Sequence, residues 1–369
     1  MEPRATAEAG CSGASDSSVV LSTPFSDSQG MKAVRYHSPG GVEVLKLEEA
    51  PDPEAGRGEA LVRVLACGIN RIDVWARSGR YKTSLPHIAG TDITGEVVSI
   101  GLGTKGVEPG ARVLVYPVLT DGTCVYCRLG NPNLCLARGF VGIATDGGYA
   151  ELVKVPAANL LPLGDLEPKT AAALPVNFGT AWNGLVTKAN VGEWDTVLVW
   201  GAAGGLGHAA VQIAKHFGAR VIAAVGDERK SQFVKSLGAD AVVDSKSHDF
   251  VERVRSLTDG FGASVVFDHV GGDTWPTSFD CLARGGRMVT LGLTSGVKSE
   301  VDVRRVYQDE LKLMGVYGQS MDDIRSVMEL TAAGRLKPSI YRELPLSAAR
   351  EAHEIMESRQ VQGKILLTL

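Results

Sequence analysis

Apolar positions along most of this chain fall in short runs rather than long ones. From Met31 the runs MKAVRY, VLKLEEA, EALVRVLACGI, HIAGTDITGEVVSIG and ARVLVYPV alternate apolar with polar residues or are rich in β-branched ones. That is the pattern of half-buried strands. Pro39-Gly40-Gly41, Pro109-Gly110 and Gly122 separate them as turns. The pattern predicts a β-rich domain, a distorted barrel, reaching to about residue 177. Residues 171–185 shift to helical spacing. From Val197 the runs VLVWG, RVIAAV, AVVD, VVFDHV, RMVTLGL and LKLMGVYG alternate with helical patterns such as 228–237 and 248–257. Strand and helix in alternation predict a doubly wound parallel sheet, so the fold class is α/β. Beyond Met321 two helical patterns flank LKPSIYREL, and GKILLTL reads as a last strand. This tail is expected to return to the first domain. Residues 1–30 are rich in Ser, Ala, Gly and Glu, with one short apolar run at 19–21. That run is too short for a signal-peptide core, and Glu2, Glu8, Asp16 and Asp27 disfavour an acid-poor transit peptide. A disordered tail is expected there.

One stretch carries chemistry by its order alone. VLVWGAAGGLGHAAVQIAKHFGARVIAAV, residues 197–225, reads strand, glycine turn, helix, strand. Gly201, Gly204, Gly205 and Gly207 let backbone N–H groups approach a pyrophosphate at a helix N-terminus, where the helix dipole favours negative charge. The fingerprint is imperfect, since Ala202 stands where its first glycine would be.

Composition narrows the classes. The 369 residues carry a net charge of −4 and no basic stripe of the kind a nucleic-acid partner needs. No apolar run approaches the ~20 residues of a membrane span, so neither nucleic acid nor membrane is expected and the expected compartment is the cytoplasm. Forty-four glycines exceed the roughly 7% of an average protein and recur at strand ends. Of six cysteines, Cys124, Cys127 and Cys135 crowd together, while Cys11, Cys67 and Cys281 are scattered. Such a cluster favours metal over disulfides.

The segments ACGINRIDVWARSGRY, PHIAGTDITGEVVSIG, DGGYAELVKVPAANL, VLVWGAAGGLG, FDHVGG, LARGGRMVTLG and GRLKP with the terminal GKILL occur in order across residues 31–369. On these the chain resembles the medium-chain dehydrogenase/reductase superfamily, in its zinc-type alcohol dehydrogenase and quinone oxidoreductase branch. The resemblance implies a GroES-like catalytic domain over 31–177 and 320–369, with a zinc lobe at about 119–140. It implies a Rossmann domain over 178–319, with a cleft between the two. It also implies one structural zinc on Asp121, Cys124, Cys127 and Cys135.

Where the zinc enzymes of that family hold catalytic zinc, this chain has Asn70, Thr91 with Asp92, and about Val176, none a thiolate or imidazole. Ile72 stands where those enzymes have a proton-relaying hydroxyl. The resemblance therefore implies hydride transfer without catalytic zinc, from NADPH to a quinone or an α,β-unsaturated carbonyl. Tyr81 is the candidate donor to the developing oxyanion, and Asn70 a second polar contact. Asp73 and Cys67 are expected to be structural, and the scattered histidines His208, His216 and His269 to pack. Trp75 and Phe140 are expected to line the substrate pocket.

Cofactor contacts are expected from Gly201, Ala202, Ala203, Gly204, Gly205, Leu206, Thr180, Val270, Leu291 and Leu293. Val225 stands where an NAD enzyme places its acid, so Gly226, Arg229, Lys230 and Ser245 are expected to take a 2′-phosphate, with Asp227 as a competitor for the ribose. The resemblance also implies a homodimer or homotetramer, pairing through the last strand of the sheet, LKLMGVYG. Two other readings stay open: an alcohol or aldehyde dehydrogenase with unusual metal ligation, and a nucleotide-binding relative without turnover.

Overall fold

The structure, a computed structural model, describes residues 30–369. The expected N-terminal tail lies outside the described residues, apart from Gly30.

All six expected strands beyond Val197 form. They lie side by side in the order Ala241–Asp244, Arg220–Val225, Thr196–Val199, Ala263–Asp268, Leu282–Thr290 and Lys312–Gly315. Every neighbouring pair is parallel. The chain starts in the middle, winds outward one way and then the other. That leaves a crevice at the carboxyl ends of Thr196–Val199 and Ala263–Asp268, where doubly wound sheets bind ligands. The three central strands, Arg220–Val225, Thr196–Val199 and Ala263–Asp268, are mostly apolar because both their faces are covered. Val197, Val199 and Phe267 pack into one core, and Leu198, Ile222 and Val266 into another.

The glycine turn sits in that crevice. Gly201 adopts φ +53, a left-handed conformation that disfavours side chains. A Cβ on Gly207 would lie 2.3 Å from the Gly201 carbonyl oxygen. Only glycine lets the helix Gly205–His216 come this close to the turn. No side chain caps that helix, so its first N–H groups are available to an anion.

The first domain is built on a second sheet around Glu59–Ile69, which pairs antiparallel with Asp92–Ile100 on one side. On the other side it pairs antiparallel with the C-terminal strand Lys364–Thr368. Ile340–Pro345 pairs parallel with that last strand. The tail thus completes the first sheet, and the register matters: Gly68 lies opposite both Asp92 and Leu366. Residues 68–70, 92 and 364 are brought together from three distant parts of the sequence. Among the described residues no helix is long and apolar enough to cross a membrane.

Candidate active site

A cleft of about 810 Å³ runs between the two sheets, from the glycine turn to the loops of the first domain. Of the expected cofactor residues, Gly201, Ala203, Gly204, Gly205 and Leu206 line it at the turn. Thr180, Val270 and Leu291 line it further in, and Gly226, Lys230 and Ser245 at the far end. Ala202, Arg229 and Leu293 do not. Ala202 is fully buried beneath the turn, Arg229 points out from an exposed first helical turn, and Leu293 presents its backbone to Gly271. Each of the three lies in a segment that reaches the cleft, but turns another face to it.

At the far end Lys230 is pinned, its ammonium donating to the Arg359 carbonyl at 2.9 Å and lying 3.2 Å from Asp227. Asp227 caps the helix Glu228–Ser236 by accepting the Lys230 N–H at 2.9 Å. The carboxylate that competes on paper for a ribose is therefore engaged as a helix cap. Lys246 and Arg359 also line this end, and a Cβ on Gly226 would lie 3.3 Å from the Lys246 stem. Lys230 and Lys246 beside a bare glycine, with Arg359 lining the same cleft, fit a phosphate. Lys246 and Arg359 escaped the sequence reading because they lie 16 and 129 residues from Lys230, in no shared motif.

The floor of the cleft is a buried polar cluster. Lys364 donates to Asp92 Oδ2 and to Asn70 Oδ1, both at 2.6 Å, with the Lys364 and Asp92 side chains 1% and 0% exposed. Asn70 Nδ2 donates to Asp92 Oδ2 at 2.9 Å, and the Val176 N–H to Asp92 Oδ1 at 2.9 Å. Asp73 accepts the Asn70 N–H at 2.7 Å and the Thr91 hydroxyl at 3.0 Å. Burial pushes the Asp73 carboxyl up to about 7, against these hydrogen bonds and the Lys364 charge.

Two findings follow. Asn70 spends its side-chain oxygen on Lys364 and its amide on Asp92 and the Gly68 carbonyl, so it is a tether here and the catalytic contact expected of it is withdrawn. The positions that would present a catalytic metal instead surround an ammonium ion. Lys364 was invisible in sequence, where GKILLTL reads only as a last strand. Cys67 is packed in its strand and, with burial as the main cause, its thiol is pushed well above its ordinary range.

The mouth opposite the glycine turn is aromatic. Trp75, Tyr81, Phe140 and Tyr317 line it, with Trp75–Tyr81 ring centroids 6.3 Å apart and Phe140–Tyr317 5.4 Å apart. Burial and the neighbouring Tyr317 push the Tyr81 phenol up to about 12. It keeps its proton at any physiological pH and serves as a donor. Between mouth and turn, Gln319 is held by Thr180, whose hydroxyl donates to Gln319 Oε1 at 3.1 Å. The Gln319 and His269 Nε2 atoms, both in cleft-lining residues, are buried without a partner. Orphaned polar atoms in a cleft are a cost that a bound ligand removes.

The cysteine lobe lies beside this mouth. Asp121 and Cys124, Cys127 and Cys135 offer one ligand atom each, all within 4.8 Å of one another. Cys124 and Cys127 sulfurs stand 3.7 Å apart. This is far beyond a disulfide bond of ~2.05 Å and close to the about 3.8 Å edge of a tetrahedron with ~2.3 Å zinc–sulfur bonds. The backbone N–H groups of Cys124 and Thr123 hold Asp121 low, at about 2. Three sulfurs and one carboxylate in this arrangement fit zinc in a closed, four-ligand site.

Comparison with known proteins agrees with this architecture. Residues 56–165 match the family model described as alcohol dehydrogenase GroES-like domain, and residues 205–333 the model described as zinc-binding dehydrogenase. The chain is 34% identical over 347 residues to an NAD-dependent alcohol dehydrogenase of Sulfolobus acidocaldarius, covering 91% of this chain and 99% of that one. It is 30% identical over 347 residues to an acryloyl-coenzyme A reductase of Sulfurisphaera tokodaii, with coverage of 91% and 99%. A crystal structure of an NAD-dependent alcohol dehydrogenase superposes with a TM-score of 0.88 at 39% identity, covering 92% of this chain and all of that one.

Proposed function

The chain belongs to the medium-chain dehydrogenase/reductase superfamily and is a pyridine-nucleotide-dependent oxidoreductase, and on that premise we propose that it reduces an α,β-unsaturated carbonyl or a quinone, with NADPH as donor and no metal in the cleft. The observation that carries this reading is the Lys364 ammonium, 2.6 Å from both Asp92 and Asn70, in the floor where the family's zinc enzymes bind their catalytic metal. Without a metal, nothing there lowers the pKa of a bound alcohol. A conjugated acceptor needs no such help, since charge spreads from the reacting carbon into the oxygen.

When bound, NADPH supplies the hydride. The glycine turn and uncapped helix start hold its pyrophosphate. Lys230, Lys246, Arg359 and Ser245 favour a 2′-phosphate over a bare ribose. Thr180 and Gln319 line the reacting end. Tyr81 keeps a proton on its hydroxyl and donates it as a hydrogen bond to the oxygen where charge develops. Trp75, Phe140 and Tyr317 exclude water around the acceptor. The reaction balances for both acceptors: an enone gains hydride at its β carbon and a solvent proton at its α carbon, and a quinone gains one hydride and one solvent proton and ends as the hydroquinone. NADPH leaves as NADP⁺. The lobe holds one structural zinc on Asp121, Cys124, Cys127 and Cys135. Copies pair through the exposed edge strand Lys312–Gly315, and the protein works in the cytoplasm.

The test is a panel of quinone, enone, enoyl thioester and primary alcohol, each with both cofactors. Reduction of the conjugated acceptors, faster with NADPH, is expected. Alcohol oxidation as the sole activity, or tight NADPH binding with no turnover, defeats the proposal.

A further inference from the structure

Two arginines flank the aromatic mouth, from separate segments of the first domain. The Arg80 guanidinium carbon lies 4.8 Å from the Trp75 ring centroid, and that of Arg138 lies 4.1 Å from the Tyr317 ring centroid. Both side chains belong to exposed residues. Each is fixed by a backbone carbonyl, Arg80 to Leu293 at 3.5 Å and Arg138 to Asn133 at 2.5 Å. Trp75 neighbours Tyr81 in the mouth, Tyr317 neighbours Phe140 there, and the positive charges of both arginines reach the Tyr81 phenol. Among the described residues neither makes an ion pair with a carboxylate, although the chain pairs Arg77, Arg287 and Arg305 in that way. Asp227, the one carboxylate among the described residues lining the cleft, belongs to the other end, beside Lys230.

A guanidinium laid on an aromatic face keeps its plane and its outward N–H groups in a set orientation. Two of them, preorganised and lacking counter-charge, form a receptor for a carboxylate or phosphate. Neither lines the cleft itself, since each lies behind an aromatic that does. The anion they fit therefore sits at the mouth, several atoms from the reacting carbons. Resting on the conjugate-reduction reading above, we propose that the natural acceptor carries an anionic group remote from its conjugated carbonyl, and that Arg80 and Arg138 select for it. The cofactor's own phosphates have separate partners in Lys230, Lys246 and Arg359.

Two matched pairs of acceptors test this. One is the crotonyl thioester of pantetheine against that of 4′-phosphopantetheine; the other is benzylideneacetone against its 4-carboxy derivative. The anionic member of at least one pair should show kcat/KM higher by about tenfold or more at low salt, with the advantage shrinking at high salt. Which pair responds tells phosphate from carboxylate. In Arg80→Gln/Arg138→Gln the ratio should fall to near unity. Equal kcat/KM within both pairs, with the neutral members turning over, overturns the proposal and leaves conjugate reduction standing. So does a preference that survives the double substitution, or a double variant whose main defect is a raised Kd for NADPH in fluorescence titration. Failure of every acceptor to react removes the reading beneath it as well.

Discussion

Replacing Lys364 with methionine keeps the buried stem and deletes the ammonium. Asp92 then keeps only the Asn70 amide and the Val176 N–H, each at 2.9 Å, in a site with no water-exposed surface. Asn70 Oδ1 loses its donor as well. Breaking a buried ion pair from one side costs ~3–5 kcal/mol, because the remaining charge is stranded in low dielectric. At about 1.4 kcal/mol per decade that is roughly two to three and a half orders of magnitude in the unfolding constant. Asp92→Asn in the same chain removes the stranded charge, so the double variant should recover a large part of the loss. The single and double variants together form a cycle with a coupling energy of several kcal/mol. Guanidinium unfolding of the apoprotein, read by circular dichroism, measures each corner. A Lys364→Met variant within ~1 kcal/mol of wild type, or a double variant costing the sum of the two singles, refutes the reasoning.

Three further outcomes are expected. Gly207→Ala places a methyl 2.3 Å from the Gly201 oxygen and 2.6 Å from the Ala202 backbone, so the Kd for NADPH in fluorescence titration should rise by about tenfold or more; an unchanged Kd contradicts the close-approach account. Asp121→Ala should lose zinc to a competing chelator far more readily than wild type, whereas Asp121→Cys should hold it more tightly, and equal retention across the three would deny Asp121 a ligand role. Asp73, raised to about 7, binds a proton in the folded state that the unfolded chain gives up near its ordinary value of 3.8. Its contribution to stability is therefore fully present at low pH and is lost as pH rises from about 4 to about 7. The stability of wild type relative to Asp73→Asn should fall across that window and level off above it, and parallel pH curves would contradict the burial of an acid there.

The strands of the doubly wound sheet, the glycine turn and the metal lobe were legible because each is encoded locally. Apolar runs between turns mark strands. Gly201 and Gly207 must lack side chains for backbone to meet backbone. Asp121, Cys124, Cys127 and Cys135 keep ligand spacing within fifteen residues. What depends on register was hidden. Lys364 meets Asn70 and Asp92 because three strands far apart in sequence pair around Gly68. Lys246, Arg359 and Gln319 reach the cleft from loops with no motif. Ala202, Arg229 and Leu293 failed for a related reason, since neighbours in one turn or loop face opposite ways. Asn70 failed because a buried amide beside a buried lysine is consumed by the fold before a substrate can use it.

The central claim, conjugate reduction without a metal in the cleft, is tested most directly by where the hydride goes. With NADPH deuterated at the transferable hydrogen and a simple enone as acceptor, the product is examined by proton and deuterium NMR. The account predicts a saturated ketone with deuterium on the carbon β to the carbonyl. An allylic alcohol with deuterium on its carbinol carbon contradicts it.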